Sequence, residues 1–170
     1  MHRQRAYTLI EVLMVVTVLG IAATMVVPTF SQSNPLRIQA AVRTVVSDIT
    51  QAQSDAVAMQ IGQAIEFTAD STHSRYTICP VSGTALDTSP DVIVTRQIGG
   101  HEFGEATIAN IQLPNNQLIF DAMGGPVQSP GSDIAATTGS VDIVSGSQSF
   151  RITIEAYTGR VTVSSIPNPS

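Results

Sequence analysis

Between Glu11 and Arg37 the chain holds no charged side chain, a run of 25 neutral residues spanning positions 12–36. Residues 12–27 are almost wholly apolar, and continuing to Phe30 supplies the roughly 20 residues that a helix needs to cross a bilayer core. A helix without a polar face is not a surface helix of a soluble domain. The segment is therefore expected to be directed to a membrane, with Arg3 and Arg5 holding the N-terminus on the cytoplasmic side. A cleaved secretory signal would need an apolar stretch of only about 7–15 residues and a small-x-small site after it. Ala22-Ala23 meets that requirement poorly, and the run is too long. Glu11 at its edge would give a secretory signal nothing, whereas an ionisable residue heading such a run points to function.

Composition bounds the remainder. A length of 170 residues leaves room for one ordinary domain beside this segment, which excludes a large multidomain enzyme. Hydrophobic residues make up 43% and charged residues 12%, about half the usual charged share, so disorder is not the main state. All 8 basic residues are Arg against 13 acidic ones, a net charge of -5 that argues against generic binding of nucleic acid through phosphate neutralisation. The single Cys79 cannot close an intrachain disulfide, and no Cys/His spacing suits a structural zinc. No cofactor is implied.

Past the neutral run, Ile38, Val42, Val45, Ile49, Ala52, Ala56 and Met59 recur at alternating spacings of four and three, an apolar seam at helical period. Residues 36–61 thus predict an amphipathic helix packed on its own head. Joined to the apolar segment, helix from Tyr7 to about Ile61 would be roughly 80 Å long. Pro28 and Pro35 are expected to kink or open it, since each removes a backbone donor. After Gly62 the period becomes two, and strands are predicted at 63–69, 75–79, 92–98, 107–111, 117–120, 141–144, 150–155 and 161–163. Turn-rich stretches fall at 80–90 and 121–140. One long helix followed by closely spaced strands predicts an α+β fold with antiparallel sheets against the helix, because parallel crossovers need longer connections.

Arg5-Ala6-Tyr7-Thr8-Leu9-Ile10-Glu11-Val12-Leu13 resembles the processing and methylation signature of type IV prepilins and type II secretion pseudopilins. The resemblance implies a leader at residues 1–6, a transmembrane and assembly helix at 7–30, an amphipathic helix at 31–62 that continues into the head, and a β-rich head at 63–170. It implies cleavage between Ala6 and Tyr7 by a prepilin peptidase, N-methylation of Tyr7, and Glu11 as fifth residue of the processed chain. The family usually has Gly before the cut and Phe after it, so Ala6 and Tyr7 are conservative departures. Further on, Phe120-Asp121-Ala122-Met123-Gly124-Gly125-Pro126, the stretch at 150–155 and Thr158-Gly159-Arg160-Val161-Thr162-Val163 resemble the minor pilin and pseudopilin head that includes the secretion H subunit. Thr158-Gly159 reads as a hairpin turn in which Gly supplies a positive φ.

Catalytic and metal readings fare worse. His73 and His101 have Asp and Ser within the chain, but no Gly-x-Ser-x-Gly accompanies them, and so many acids and serines produce such triplets by chance. His101, in Gly99-Gly100-His101-Glu102, is expected in a solvated loop. Asp87, Asp91 and Asp133 form no EF-hand-like run and read as solvated turn residues. Gly99-Gly100 and Gly124-Gly125 lack a following Lys-Ser/Thr, so no phosphate loop is present.

The resemblance therefore implies a structural subunit of a type II secretion pseudopilus or a type IV pilus. Its partners would be other pilin or pseudopilin subunits, the prepilin peptidase and an inner-membrane assembly platform. Its place would be the inner membrane, N-terminus cytoplasmic and head periplasmic, and then the filament, below the extreme tip because Glu11 is present. The alternative is a minor pilin that binds DNA during natural transformation. That subgroup resembles Gly-Arg-x-Arg in its final hairpin, and here only Arg160 of the two arginines is kept.

Overall fold

The computed structural model describes residues 8–30, 33–69 and 74–167, with side chains from 8 to 23 and from 35 onwards. The chain divides into two units, Met1–Asn34 and Pro35–Ser170.

The first unit holds α1, Leu9–Phe30. Thr8 starts it: the Glu11 amide donates to the Thr8 carbonyl at 3.1 Å and lies 3.3 Å from the Thr8 hydroxyl. The residue thus serves as the helix cap that satisfies an otherwise unpaired amide. The helix runs through Pro28, which does not end it. All side chains described in α1 are exposed, since the described residues before Ser33 offer no second element to pack on it. Among the described residues no helix is long and apolar enough to cross a membrane. Described side chains in α1 stop at Ala23, short of the roughly 20 apolar residues a span takes.

The second unit is built on α2, Ser33–Met59. Pro35 falls in its first turn, where an amide has no intrahelical acceptor to lose. The expected single helix from Tyr7 to Ile61 passes through residues 31 and 32, outside the described residues. Ile38, Val42, Val45, Ile49, Ala52 and Ala56 of the seam are buried, joined by Ala41. Met59, expected to close the seam, is instead 60% exposed. The helix ends there, because Gln60 takes a left-handed φ of 56° and turns the chain away.

Among the described residues ten strands follow in two antiparallel sheets, an α+β layout. They are β1 Gln63–Ala69, β2 Ser74–Ser82, β3 Ala85–Leu86, β4 Val94–Ile98, β5 Thr107–Gln112, β6 Gln117–Phe120, β7 Pro126–Val127, β8 Gly139–Ser145, β9 Gln148–Ile154 and β10 Val161–Ile166. One sheet runs β3-β2-β1-β6-β7, with β4 also on β2; the other runs β10-β9-β8-β5. Ile65, Phe67, Tyr76, Leu118 and Phe120 from the first sheet and Val141, Ile143, Ile152 and Ile154 from the second close over the α2 seam in one core. Each such side chain contributes about 1.5–3 kcal/mol on full burial.

Two stretches expected to be only turns contain pairing. β2 continues through Pro80 to Ser82, and β3 pairs with it. Likewise β7 pairs with β6. The reason is a second apolar cluster, Ala64, Cys79, Ile119 and Val127, on the far face of the first sheet, covered by Val81, Leu86 and Ile93. A four-residue helix, α3 Gly100–Phe103, holds His101 exposed where a loop was expected.

Candidate assembly site

Glu11 stands in the first turn of α1. A carboxylate there suits the positive end of the helix dipole, and Thr8-Leu9-Ile10-Glu11 is the Thr-x-x-Glu pattern of a capping box. That pattern was legible in the sequence, yet the resemblance alone did not bring out Thr8 as the residue that starts the helix. Around Glu11 the side chains of Leu9, Val12, Leu13, Val16 and Thr17 form a shallow apolar face. Leu9 is 83% exposed and Leu13 59%. Glu11 is thus the one carboxylate on an otherwise uncharged helix whose described side chains are covered by no described side chain of its own unit. Ala6 and Tyr7, the expected cleavage and methylation residues, lie outside the described residues.

In the head, two of the three C-terminal stretches singled out in the sequence, 120–126 and 158–163, come together on α2. Gln53 Nε2 donates to the Gly124 carbonyl at 2.8 Å and to the Thr158 carbonyl at 3.0 Å. The 120–126 loop is tied internally by Asp121, whose Oδ1 accepts the amides of Met123 at 2.9 Å and Gly125 at 2.8 Å. The β9–β10 turn closes through Glu155 and Arg160, whose amide and carbonyl pair at 3.0 Å. It is longer than the Thr158-Gly159 pair alone, and it carries two positive φ values, 62° at Tyr157 and 64° at Gly159. A Cβ on Gly159 would meet Gln53 Nε2 at 2.7 Å and Phe120 Cε1 at 2.9 Å, so both conformation and space demand Gly. Nothing in the sequence marks Gln53; a glutamine on a helix flank reads as solvated until the loops it holds are in place.

Arg160 is exposed, with no ion pair or side-chain hydrogen bond among the described residues. Several other charged groups of the head are tied into its structure. Asp48 on α2 is buried and accepts from the Tyr76 hydroxyl at 2.7 Å and from Arg96 Nε at 2.5 Å. Burial, then the hydrogen bond to Asp48, pushes the Tyr76 phenol far up, and Arg96's own hydrogen bond to Asp48 raises Arg96. Asp142 is held by both Arg151 Nε and Nη2 at 2.8 Å and by Asn110 Nδ2 at 2.8 Å. Burial opposes the Asp142 carboxylate, but the donors outweigh it and keep its carboxyl below the usual range. Burial, with Glu66 and Asp87 nearby, pushes the Cys79 thiol up to about 11.

The catalytic and metal candidates that lie among the described residues are placed as follows. His73 lies outside the described residues, and His101 is exposed on α3. Asp87 accepts the Ser89 amide at 3.0 Å and hydroxyl at 2.6 Å, and these bonds lower its pKa. Among the described residues no three His, Cys, Asp or Glu side chains stand close enough to share a metal ion.

Residues 1–27 match the family described as the prokaryotic N-terminal methylation motif, the signal of type IV pilins and pseudopilins. The chain is therefore type IV pilin-like at its N-terminus, and the motif is that of a family of structural proteins processed as prepilins. Comparison with characterised proteins and with solved structures returns no match.

Proposed function

We propose that this chain is a minor pilin or pseudopilin, a non-enzymatic structural subunit of a type II secretion pseudopilus or a type IV pilus. It is matured by cleavage between Ala6 and Tyr7 and by methylation of Tyr7. The observation that carries the reading is the methylation motif over residues 1–27 running directly into an uncovered apolar helix headed by Glu11. In the inner membrane the helix anchors the subunit, with the head in the periplasm. A carboxylate alone in an apolar setting is unfavourable, but it can pair with the methylated, positively charged amine of a neighbour's Tyr7 as subunits bundle. That pairing sets the register of one subunit on the next. The head resembles that of the secretion H subunit through the two stretches that Gln53 ties together.

Coexpression with a prepilin peptidase is expected to remove six residues and leave N-methyltyrosine at Tyr7, read by mass spectrometry of the N-terminal peptide. A mature terminus beyond Ala22 would establish an ordinary signal peptide instead. Deletion in the host separates the machines: loss of exoprotein secretion supports the pseudopilus, whereas loss of surface motility or transformation with secretion intact supports the pilus.

A second reading, DNA binding by a minor pilin, has in its favour the exposed Arg160, which has no ion pair among the described residues. Against it, residues 37–170 carry six Arg against twelve Asp and Glu, a net of -6, so counterion release would be small. A head fragment beginning at Pro35 is expected not to retard duplex DNA at physiological salt. Tight binding abolished by Arg160→Ala would promote this reading.

A further inference from the structure

We propose that β10 accepts an added strand: an extended segment of another protein, apolar on the side that faces α2 and carrying a carboxylate there for Arg43. This binding site is separate from the assembly surface of α1, and it does not depend on which machine owns the chain.

A sheet edge offers unpaired amides and carbonyls to any extended chain, and proteins blunt it with charge, proline, a bulge or shortness. Every other sheet edge among the described residues is blunted. β3 and β7 have two residues each, and β7 holds Pro126. β4 carries Arg96. β5 loses register between Ala109 and Gln112, where Asn110 takes a φ of 42°. β10 ends its sheet and pairs only with β9. Its six residues, Val161–Ile166, keep unbroken register, include no charge and no proline, and four of them are exposed. Half of its backbone donors and acceptors point away from β9, and none of these has another backbone partner among the described residues.

The same edge is unfinished on its inner face. Val161, Val163 and Ser165 stand opposite Ile154, Ile152 and Phe150, so they point to the side of the sheet that α2 covers. Cover fades along the strand: Val161 packs on the core, whereas Val163 is 46% exposed. Val163 and Phe150, with Val42 and Val46 of α2, bound an apolar groove of about 450 Å³. One further strand beside β10 would turn about three alternate side chains into it.

Charge selects the occupant. Arg43 lines the groove, is exposed and has no ion pair among the described residues, whereas Arg96 and Arg151 are engaged by Asp48 and Asp142. Among the described residues no acid lines the groove, although residues 37–170 carry a net charge of -6. A strand entering there gains from a carboxylate and loses from a cation. This chain has no such strand to give. In its described strands acids occur only at Glu66 in β1 and Asp142 in β8, both interior to their sheets. Asp91 and Asp133, which stand beside exposed apolar residues, lie in a turn and a loop. Pairing of two β10 edges would leave both Arg43 side chains unmatched. The segment therefore belongs to another protein, held by main-chain hydrogen bonds and selected by the side chains it turns into the groove.

The test uses the full chain in detergent. Its probe is a fluorescent, end-blocked peptide of alternating valine and threonine, about two residues longer than β10, with glutamate in place of the last valine. Saturable binding by anisotropy is expected, with slowed hydrogen exchange at the β10 amides. Lysine in place of the glutamate should weaken binding roughly tenfold or more. Arg43→Glu should reverse that preference, an outcome that simple loss of folding would not give. N-methylating one alternate set of peptide amides should abolish binding, and N-methylating the other set should leave it, because only one edge of the added strand meets β10. Equal binding of the two methylated peptides, indifference to the exchange of glutamate for lysine, or no binding at millimolar peptide would each overturn the proposal. So would disulfide-linked dimers of Val163→Cys chains formed without peptide, since a second copy would then be the occupant; the native Cys79 is buried and does not interfere.

Discussion

The chain contains two helices of similar length, 22 residues in α1 and 27 in α2, with opposite fates. α2 concentrates its apolar residues in one seam, and the sheets of its own unit cover that seam almost completely. α1 is apolar on every described face, and none of those side chains is covered. The difference teaches where each helix finds its stabilising partner. A helix with a polar flank needs an apolar partner on one side only, whereas one without a polar flank needs apolar surroundings on every side.

The largest effect expected from this comparison is at Glu11. Glu11→Leu should leave membrane levels of the protein unchanged or higher, because the carboxylate opposes insertion by roughly 2–3 kcal/mol. Its recovery in sheared filaments should fall roughly tenfold or more, as a neighbour's amine is left unpaired in an apolar bundle. Equal recovery of mutant and wild type would remove the assembly role of α1.

Core truncation in α2 comes next. Ile49 is fully buried, and Ile49→Ala should lower head stability by about 2–5 kcal/mol in denaturant melts. Val16→Ala in α1 should leave the same melt unmoved. A shift at Val16 comparable to that at Ile49 would break the contrast between the helices.

Asp48→Ala sharpens it within α2, since the loss leaves the Tyr76 hydroxyl buried without its acceptor. A cost of about 2 kcal/mol is expected from the charged hydrogen bonds. Tyr76→Phe should cost less, about 1 kcal/mol, because it removes the donor along with the need for it. A larger loss from Tyr76→Phe than from Asp48→Ala would contradict the bond pattern.

The smallest effect concerns acid. The folded pKa of Asp142 is depressed, so its ion pair with Arg151 adds stability that is present above the ordinary carboxylate pKa of 3.8 and is lost as pH falls through the lower folded value. Asp142→Asn should therefore flatten the stability profile below about pH 4, measured by melts across that range. An unchanged acid limb would show that the pair contributes nothing there.

Much of this was legible because each feature is local. Six of the seven seam residues expected are buried in α2, where Ala41 joins them; Met59 is exposed, because the turn at Gln60 that ends the helix is not encoded by a glycine. Strands β1 and β6 begin and end where alternation predicts. β3 and β7 were missed, since two-residue strands have no period of their own and exist only because Leu86 and Val127 join a cluster on the far side of a sheet. Of the candidate site, Glu11 and Arg160 could be named in advance; Gln53 could not.

The sequence by itself determined that the helix behind Glu11 has no charged face, because no charged side chain falls between Glu11 and Arg37. It also determined that the remainder is α+β, because the change from helical to twofold period occurs once, at Gly62. Only the tertiary structure decided which residues meet across more than 70 positions at Gln53. It alone left β10 as an uncovered edge beside Arg43. Those outcomes depend on how far a helix reaches across a sheet, a distance that no local spacing of side chains encodes.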